Sequence, residues 1–576
     1  MAAATDRKAA ARVLEQIAAF MELKGENPFR TRTLRSAART ISQLPLDLDT
    51  ALADGTLAAT RGIGPATLQI IRELVETGHS TMLEELRQQV PSGLVEMLAI
   101  SGLGVAKIRQ IHEALGIETV PELEAAARDG RLARLPRFGP RTSENILKGI
   151  DLLRRTSGYR LYHHAADEAE ALRSALAALP GVAHAVVAGG IRRRLETVRE
   201  LVLVLVAETA PAELFRLLAD LPGIYEFAGR DERRVTLRTA AGETAQVVVT
   251  TPVNFGAVLI QSTGSDAHLE QLAELASQRG FALHGAALWK GSEFVATPDE
   301  TTLYRALSLP WIPPELREGR GEITAGLEGR LPELIVREDL QGFLHCHTAY
   351  SDGTNTVEEL ALACRDAGYS YLGVTDHSQA AAYAGGLKPD QLQHQLDEID
   401  QLNERLTGIR VLKGVEADIL QNGRVDYDDA ILDRLDFVIG SIHSRFGMDE
   451  PEMTARMLSA MDDPHLTIIG HPTGRLLLSR EPYGLDLDAV VEKAAATGVA
   501  LEINADPRRL DLDWRVLRGA RDAGVKISIG ADAHSLAGIR NMEFGVGIAR
   551  KGWLTADDVL NCRSADDFLA YARRRR

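Results

Sequence analysis

Seven short apolar runs after residue 340 alternate with helical stretches: GFLHCH, YLGVTDH, RVLKGVE, FVIGSIH, TIIGHP, ALEINA and KISIGADAH. Almost every one ends in a side chain able to hold a metal ion. Strand–helix alternation of this kind implies a parallel sheet, and its repetition implies closure into a barrel. In a βα barrel the strand C-termini converge on one face, where sites are built. That topology would gather His345, His347, His377, Glu416, His443, His471, Asp532 and His534 into one pocket, with Asp352 joining from the turn TAYSDG after the first strand.

Residues two apart in a strand share a face. His345 and His347 are therefore expected side by side, as are Asp532 and His534, with Cys346 turned to the opposite face. One histidine alone is more often a satisfied core or surface residue. Six histidines and three carboxylates in phase at strand ends read better as ligands, and they exceed the roughly four that one zinc ion takes. Two or three divalent ions bridged by a carboxylate such as Glu416 are expected, and imidazole with carboxylate but no thiolate suits Mn, Zn or Fe. Clustered ions of this type hold a phosphate ester, acidify a bound water and stabilise the leaving oxygen. Arg445, Arg475 and Arg508 follow strand ends at the same mouth. They are candidate phosphate clamps, with plain surface arginine an equal alternative for each.

The front of the chain has a different texture. LAATRGIGPATLQIIREL (57–74), LAISGLGVAKIRQIHEAL (98–115) and LARLPRFGPRTSENILKGI (132–150) each place a short apolar stretch before a glycine-containing hinge and an amphipathic helix. In this helix–hairpin–helix pattern the tight turn aims backbone N–H groups at a phosphate, with Gly62, Gly64, Gly102, Gly104 and Gly139 as the candidate contacts. One such turn is often only a helix stop. Two good copies and a degenerate third in one small region point to a grip on a nucleic-acid backbone, which positions without reading sequence.

Charge follows the same division. The formal net charge is −16, yet Lys and Arg slightly outnumber Asp and Glu up to residue 157, so the acidic surplus lies behind. The 576 residues call for several domains. No run is apolar enough to span a membrane, the N-terminus lacks a signal peptide's apolar core, and three cysteines make no disulfide framework. A cytoplasmic, monomeric protein is expected. From about residue 158 strands and helices alternate as in an α+β domain, and LPWIPPELREGRGEITAGLEGRLPELIVREDL (309–340) reads as a domain end followed by a linker.

LHCHTAYSDG, TDHS, GVEADIL, SIHS, GHPTG and GADAHS closely resemble the signature segments of the PHP (polymerase and histidinol phosphatase) domain. The resemblance implies a distorted (βα)7 barrel with a trinuclear Mn or Zn site, phosphoesterase activity, and all nine ligand positions filled. The hairpin motifs, FGAVLIQSTGSDAH (255–268) and LPWIPPELREGRGEI resemble a bacterial family X DNA polymerase carrying that domain, a family with 3′–5′ exonuclease activity. The implied arrangement is an 8-kDa-like helix–hairpin–helix domain over 1–80 and a fingers-like one over 81–157. A palm-like nucleotidyltransferase domain follows over 158–256, a thumb-like domain over 257–316, a linker over 317–340 and the PHP domain over 341–576.

The palm-like part departs from its family. The loop AGGIRRR (188–194) looks like one that grips nucleotide phosphates, but the next strand offers Glu200, Val202 and Val204 on the face that should carry two aspartates. By that resemblance Glu200 and Val202 occupy the aspartate places, and Gln246 occupies the third on a neighbouring strand. Two-metal phosphoryl transfer needs carboxylates there. Gly190 stands for a serine, Gln261 and Ser262 for an aromatic pair, and Ile70 for the lysine of a lyase site. The expectation is an enzyme whose barrel hydrolyses DNA phosphoester ends, on gapped or primer–template DNA held by a polymerase-like front that has lost synthesis. The alternatives are an active polymerase with exonuclease, a DNA-binding scaffold with structural metals, and a small-molecule phosphatase.

Overall fold

The computed structural model describes residues 7–576 except 43, 45–47, 61, 78–79, 101, 220, 222–223 and 240–243. The chain divides into two compact units, Met1–Gly158 with Asp220–Ile224, and Tyr159–Ala219 with Tyr225–Arg576. Among the described residues no helix is long and apolar enough to cross a membrane.

Residues 7–156 are helical wherever they are ordered into regular elements. The three hairpins share one build. A left-handed residue opens each turn (Gly62, φ 94°; Gly102, φ 79°; Arg137, φ 69°). A buried apolar side chain follows (Ile63, Leu103, Phe138), its N–H donated to the carbonyl of Thr60, Ile100 or Leu135. A glycine then precedes the helices Pro65–Thr77, Val105–Leu115 and Pro140–Thr156. A Cβ on Gly64, Gly104 or Gly139 would meet nothing within 4 Å, so the helix starts are open to an approaching phosphate. The third copy, degenerate in sequence, keeps the full geometry with Arg137 at the left-handed position.

A five-stranded sheet, all but its Ile224 in the second unit, has the order Val182–Val187, Leu201–Ala207, Thr244–Thr250, Arg234–Thr239, Ile224–Arg230. Its strand Leu201–Ala207 is buried throughout, as its unbroken aliphatic run requires. The stretch 317–340, expected as a linker, is packed at its start. Arg317 and Glu322 are fully buried, and a helix forms over Glu322–Leu327. Arg317 reaches both oxygens of Glu300 at 2.7 and 2.9 Å. Arg192, from the AGGIRRR loop, reaches the same oxygens at 2.5 and 2.8 Å, and the Trp311 indole N–H donates to Glu300 at 2.9 Å. Burial opposes charge on Glu300, but its hydrogen bonds from Arg192 and Arg317 override it and hold the carboxyl far below its usual pKa. Pro, Gly and charge here build a connection whose first residues are buried.

The barrel sheet has the order Arg410–Lys413, Tyr371–Val374, Gly342–Cys346, Ile527–Ala533, Ala500–Asn504, Leu466–Ile469, Val438–Ser441, Glu416–Asp418, every pairing parallel. Its two end segments are consecutive pieces of one stretch, 410–418. Gly414 N–H donates to Val374 and Ile439 N–H to Val415, so seven strands curl back on themselves. Inside, Phe437 fills the space over two glycines, since a Cβ on Gly373 or Gly414 would sit 2.6 or 2.5 Å from its ring. Outside, Cys346 and Cys364 pack in the layer between sheet and helices, so Cys346 does face away from the histidines.

Candidate metal centre

The strand ends bring all nine sequence-identified residues to one mouth. Glu416, 1% exposed, is the hub. Its carboxylate lies 2.9 Å from His377, 3.0 Å from His471, 3.3 Å from His345 and His443, and 3.6 Å from His347. Three overlapping donor groups form: His347, Asp352, His377 and His534; His345, His347 and Asp532; and His377, Glu416 and His443. The His347 ring stacks on those of His377 and His534, each at 4.3 Å.

Simple strand alternation does not deliver these side chains. His345 (φ 60°), His471 (φ 26°) and Asp532 (φ 49°) all lie in the left-handed region, and the pairing of the first strand shifts register between Leu344 and Cys346. Such backbone is costly for non-glycine residues and persists where surroundings over-determine it, commonly at functional sites. Part of what holds it is Glu502. It accepts from the His345 ring at 2.5 Å and from the His471 backbone N–H at 2.6 Å, against Gly530, where a Cβ would overlap Glu502 itself.

The donor set fits divalent ions. His345 Nε2, both ring nitrogens of His347, His377 Nδ1, His471 Nδ1 and Glu416 Oε2 are buried without a hydrogen-bond partner, a cost that a ligated cation removes. The electrostatics point the same way. Burial alone would lower the His443 pKa, yet Glu416 and Asp418 push it up to about 10. Burial is likewise overridden at His345 by Glu502, Glu416 and Asp532. Glu416 stays ionised despite burial because His443, His345 and His377 surround it. The centre calls strongly for positive charge.

Several residues of the site were given no role of their own from the sequence. Asp418 orients His443, accepting from Nδ1 at 2.6 Å, as Glu502 orients His345. Asp376 accepts from Thr348 N–H and Oγ and from Ser351 N–H and Oγ, fixing the turn that carries Asp352. Each lies on a strand already singled out, one or two positions from a sequence-identified residue or, for Glu502, in ALEINA, so their positions were marked in the sequence although their roles were not. The three candidate clamp arginines differ in setting. Arg475 is spent internally, donating to the Arg509 carbonyl at 3.0 Å, to the Leu510 carbonyl and to Asp513 at 2.7 Å. Arg508 is 71% exposed and paired with Asp506; Arg445 is exposed. Arg509 is the arginine beside the centre, 3.5 Å from Asp532.

A second cleft, about 500 Å³, lies on the five-stranded sheet, lined by Gly189, Gly190, Arg193, Glu200, Val202, Gln246 and Asp266 among others. Val202 and Gln246 are direct cross-strand partners, and the Gln246 amide donates to Glu200 at 2.7 Å. Val202 is buried with Val204 and Val248. Glu200 and Asp266 are the carboxylates among the lining residues, and Asp266 comes from a helix start, not from the sheet.

Comparison with known proteins agrees with this layout. Residues 5–80 match the helix-hairpin-helix domain, 94–151 the SAM-like helix-hairpin-helix tandem, 258–318 the DNA polymerase beta thumb and 344–506 the PHP domain. Probable phosphatases match less than half of this chain. One from Caldanaerobacter subterraneus is 28% identical over 43% of this chain and 96% of its own; one from Clostridium acetobutylicum is 31% identical over 35% and 81%. The DNA polymerase/3′-5′ exonuclease PolX of Bacillus subtilis is 36% identical over 98% of both chains. Shared domains and end-to-end identity together place the chain in the PolX family, the bacterial family X DNA polymerases that carry a PHP domain.

Proposed function

We propose that this chain hydrolyses phosphoester bonds at 3′ ends of gapped or primer–template DNA in its barrel, and that its polymerase-like cleft no longer supports synthesis. The observation that carries the first part is the Glu416 hub with its unpartnered buried imidazoles. Two or three divalent ions, Mn or Zn, held by His345, His347, Asp352, His377, Glu416, His443, His471, Asp532 and His534 would acidify a water and neutralise the phosphate. The water oxygen attacks phosphorus and the P–O3′ bond breaks. The new terminal O3′ takes a proton, and a nucleoside 5′-monophosphate leaves. Arg509 steadies the non-bridging oxygens, while Glu502 and Asp418 hold His345 and His443 in place. The hairpin region supplies the hold on the DNA backbone.

Loss of synthesis is supported by the cross-strand pair Val202–Gln246. A valine and an amide cannot hold two magnesium ions at a 3′-hydroxyl and a triphosphate. The name of the Bacillus relative, with Glu200 and Asp266 in one cleft, favours the second reading, an active polymerase. A 5′-labelled gapped primer–template incubated with Mn, with and without dNTPs, separates them. Wild type should shorten the primer and never lengthen it, and a His345→Ala/His347→Ala variant should do neither. Lengthening would restore the polymerase reading; no shortening would sink the nuclease.

A further inference from the structure

Probable phosphatases match this chain over most of their own length but less than half of its length, so an ion centre of this kind does not by itself select a DNA end. At its rim one large aromatic side chain stands out of the core. Tyr383 is 72% exposed, with its ring 6.4 Å from that of His377 and 6.3 Å from that of His443. It stands at the tip of the segment between Ser378 and Leu387, and that segment is pinned at several points. Leu387 N–H donates to the His377 carbonyl at 2.8 Å, and Ala380 N–H donates to Asp426 at 2.9 Å. Ala381 and Ala384 are buried on either side of the tip, and a Cβ on Gly386 would lie 2.0 Å from the Ser378 carbonyl oxygen. A fixed turn therefore pushes an unpacked aromatic face outward beside the histidines, at a site whose exposure costs free energy and whose ordering is already complete.

We infer that Tyr383 is the stacking platform for the base of the 3′-terminal nucleotide, and so a specificity-determining residue for nucleic-acid ends. A phosphate at the ion centre has its nucleoside one sugar away, which brings the base to the rim where the ring stands. Stacking on an aromatic face is tolerant of sequence because every base has a π face, which suits removal of any terminal nucleotide. The phenol hydroxyl is not required for this.

The inference rests on the phosphoester-hydrolysis reading above, and one experiment separates the two. Full-length wild type, Tyr383→Ala and Tyr383→Phe are compared on two 5′-labelled primers with Mn: one ending in a normal 3′ nucleotide, the other in an abasic tetrahydrofuran residue. Wild type and Tyr383→Phe should prefer the base-bearing end at least tenfold in kcat/KM. Tyr383→Ala should lose that preference by falling to the abasic rate on both ends, with its rate on the abasic end within twofold of wild type. If Tyr383→Ala keeps the wild-type preference, or loses rate equally on both ends, the stacking role is overturned while the nuclease stands. If wild type shortens neither primer, both fail.

Discussion

Glu416 meets five imidazoles from four different strand ends, and no smaller or neutral side chain could balance them. Replacing it with glutamine should abolish both stoichiometric Mn binding, read by calorimetry and by metal content after gel filtration, and hydrolysis of DNA ends. Retained metal would mean that the remaining donors suffice. The two adjacent arginines give a sharper test. Arg509→Ala should lower kcat/KM on DNA ends tenfold or more, because it faces Asp532, whereas Arg508→Ala should stay within twofold, because Asp506 already neutralises it. Eight of the nine candidate ligands were legible because each letter sits where a strand must end, and Asp352 because it lies in the turn just after one. Which of two neighbouring arginines turns inward was not, since the choice is made by the local path of the loop, with Leu510 at φ 43° and Arg475 holding the Arg509 and Leu510 carbonyls. No spacing pattern encodes that.

Among the elements, the segment expected as a linker shows what composition leaves out. Pro, Gly and charge are turn and surface signals on average, but here Arg317 shares Glu300 with Arg192, which reaches it across 108 residues. Only the tertiary fold creates that pairing. Glu300→Gln would strand two guanidiniums, one fully buried, and breaking such a cluster costs about 3–5 kcal/mol. The thermal transition of the unit containing it should drop by several degrees in calorimetry. The pH dependence has a defined sign. Glu300 has a folded pKa held well below its unfolded value of about 4.3, so its stabilisation is full above that value and is lost as pH falls toward the folded pKa. The gap between wild type and Glu300→Gln should therefore be constant from pH 8 to 6 and narrow below pH about 4.5. A gap that grows on acidification would refute the assigned charge state. The hairpins show the reverse case: their repeated pattern was legible even in the third copy, because a buried apolar residue followed by glycine fixes the turn whether the left-handed position holds Gly or Arg137.

Across the whole molecule, an acidic chain acting on a polyanion must confine its grip to places where backbone, not net charge, meets the phosphate. The near-neutral front and acidic rear were visible in the sequence, and the open helix starts at Gly64, Gly104 and Gly139 give that division a physical basis. These positions allow a test that spares the fold. Gly104 caps its helix in an extended conformation (φ −75°, ψ 163°), where aspartate is a preferred cap, and neither it nor Gly64 has a neighbour that a side chain would strike. A Gly64→Asp/Gly104→Asp variant should thus melt no lower than wild type while setting two carboxylates against the DNA backbone. Affinity for gapped DNA should fall at least tenfold at moderate salt. The slope of log affinity against log salt should flatten by about one for each phosphate the variant no longer engages. Removal of 3′ nucleotides should show a raised KM with kcat unchanged, since the barrel centre is untouched. Unchanged affinity would mean that the hairpins serve only as helix connectors and that the hold on DNA lies in the second unit. A fall in kcat with KM constant would mean instead that the front of the chain acts on the chemistry and not only on capture.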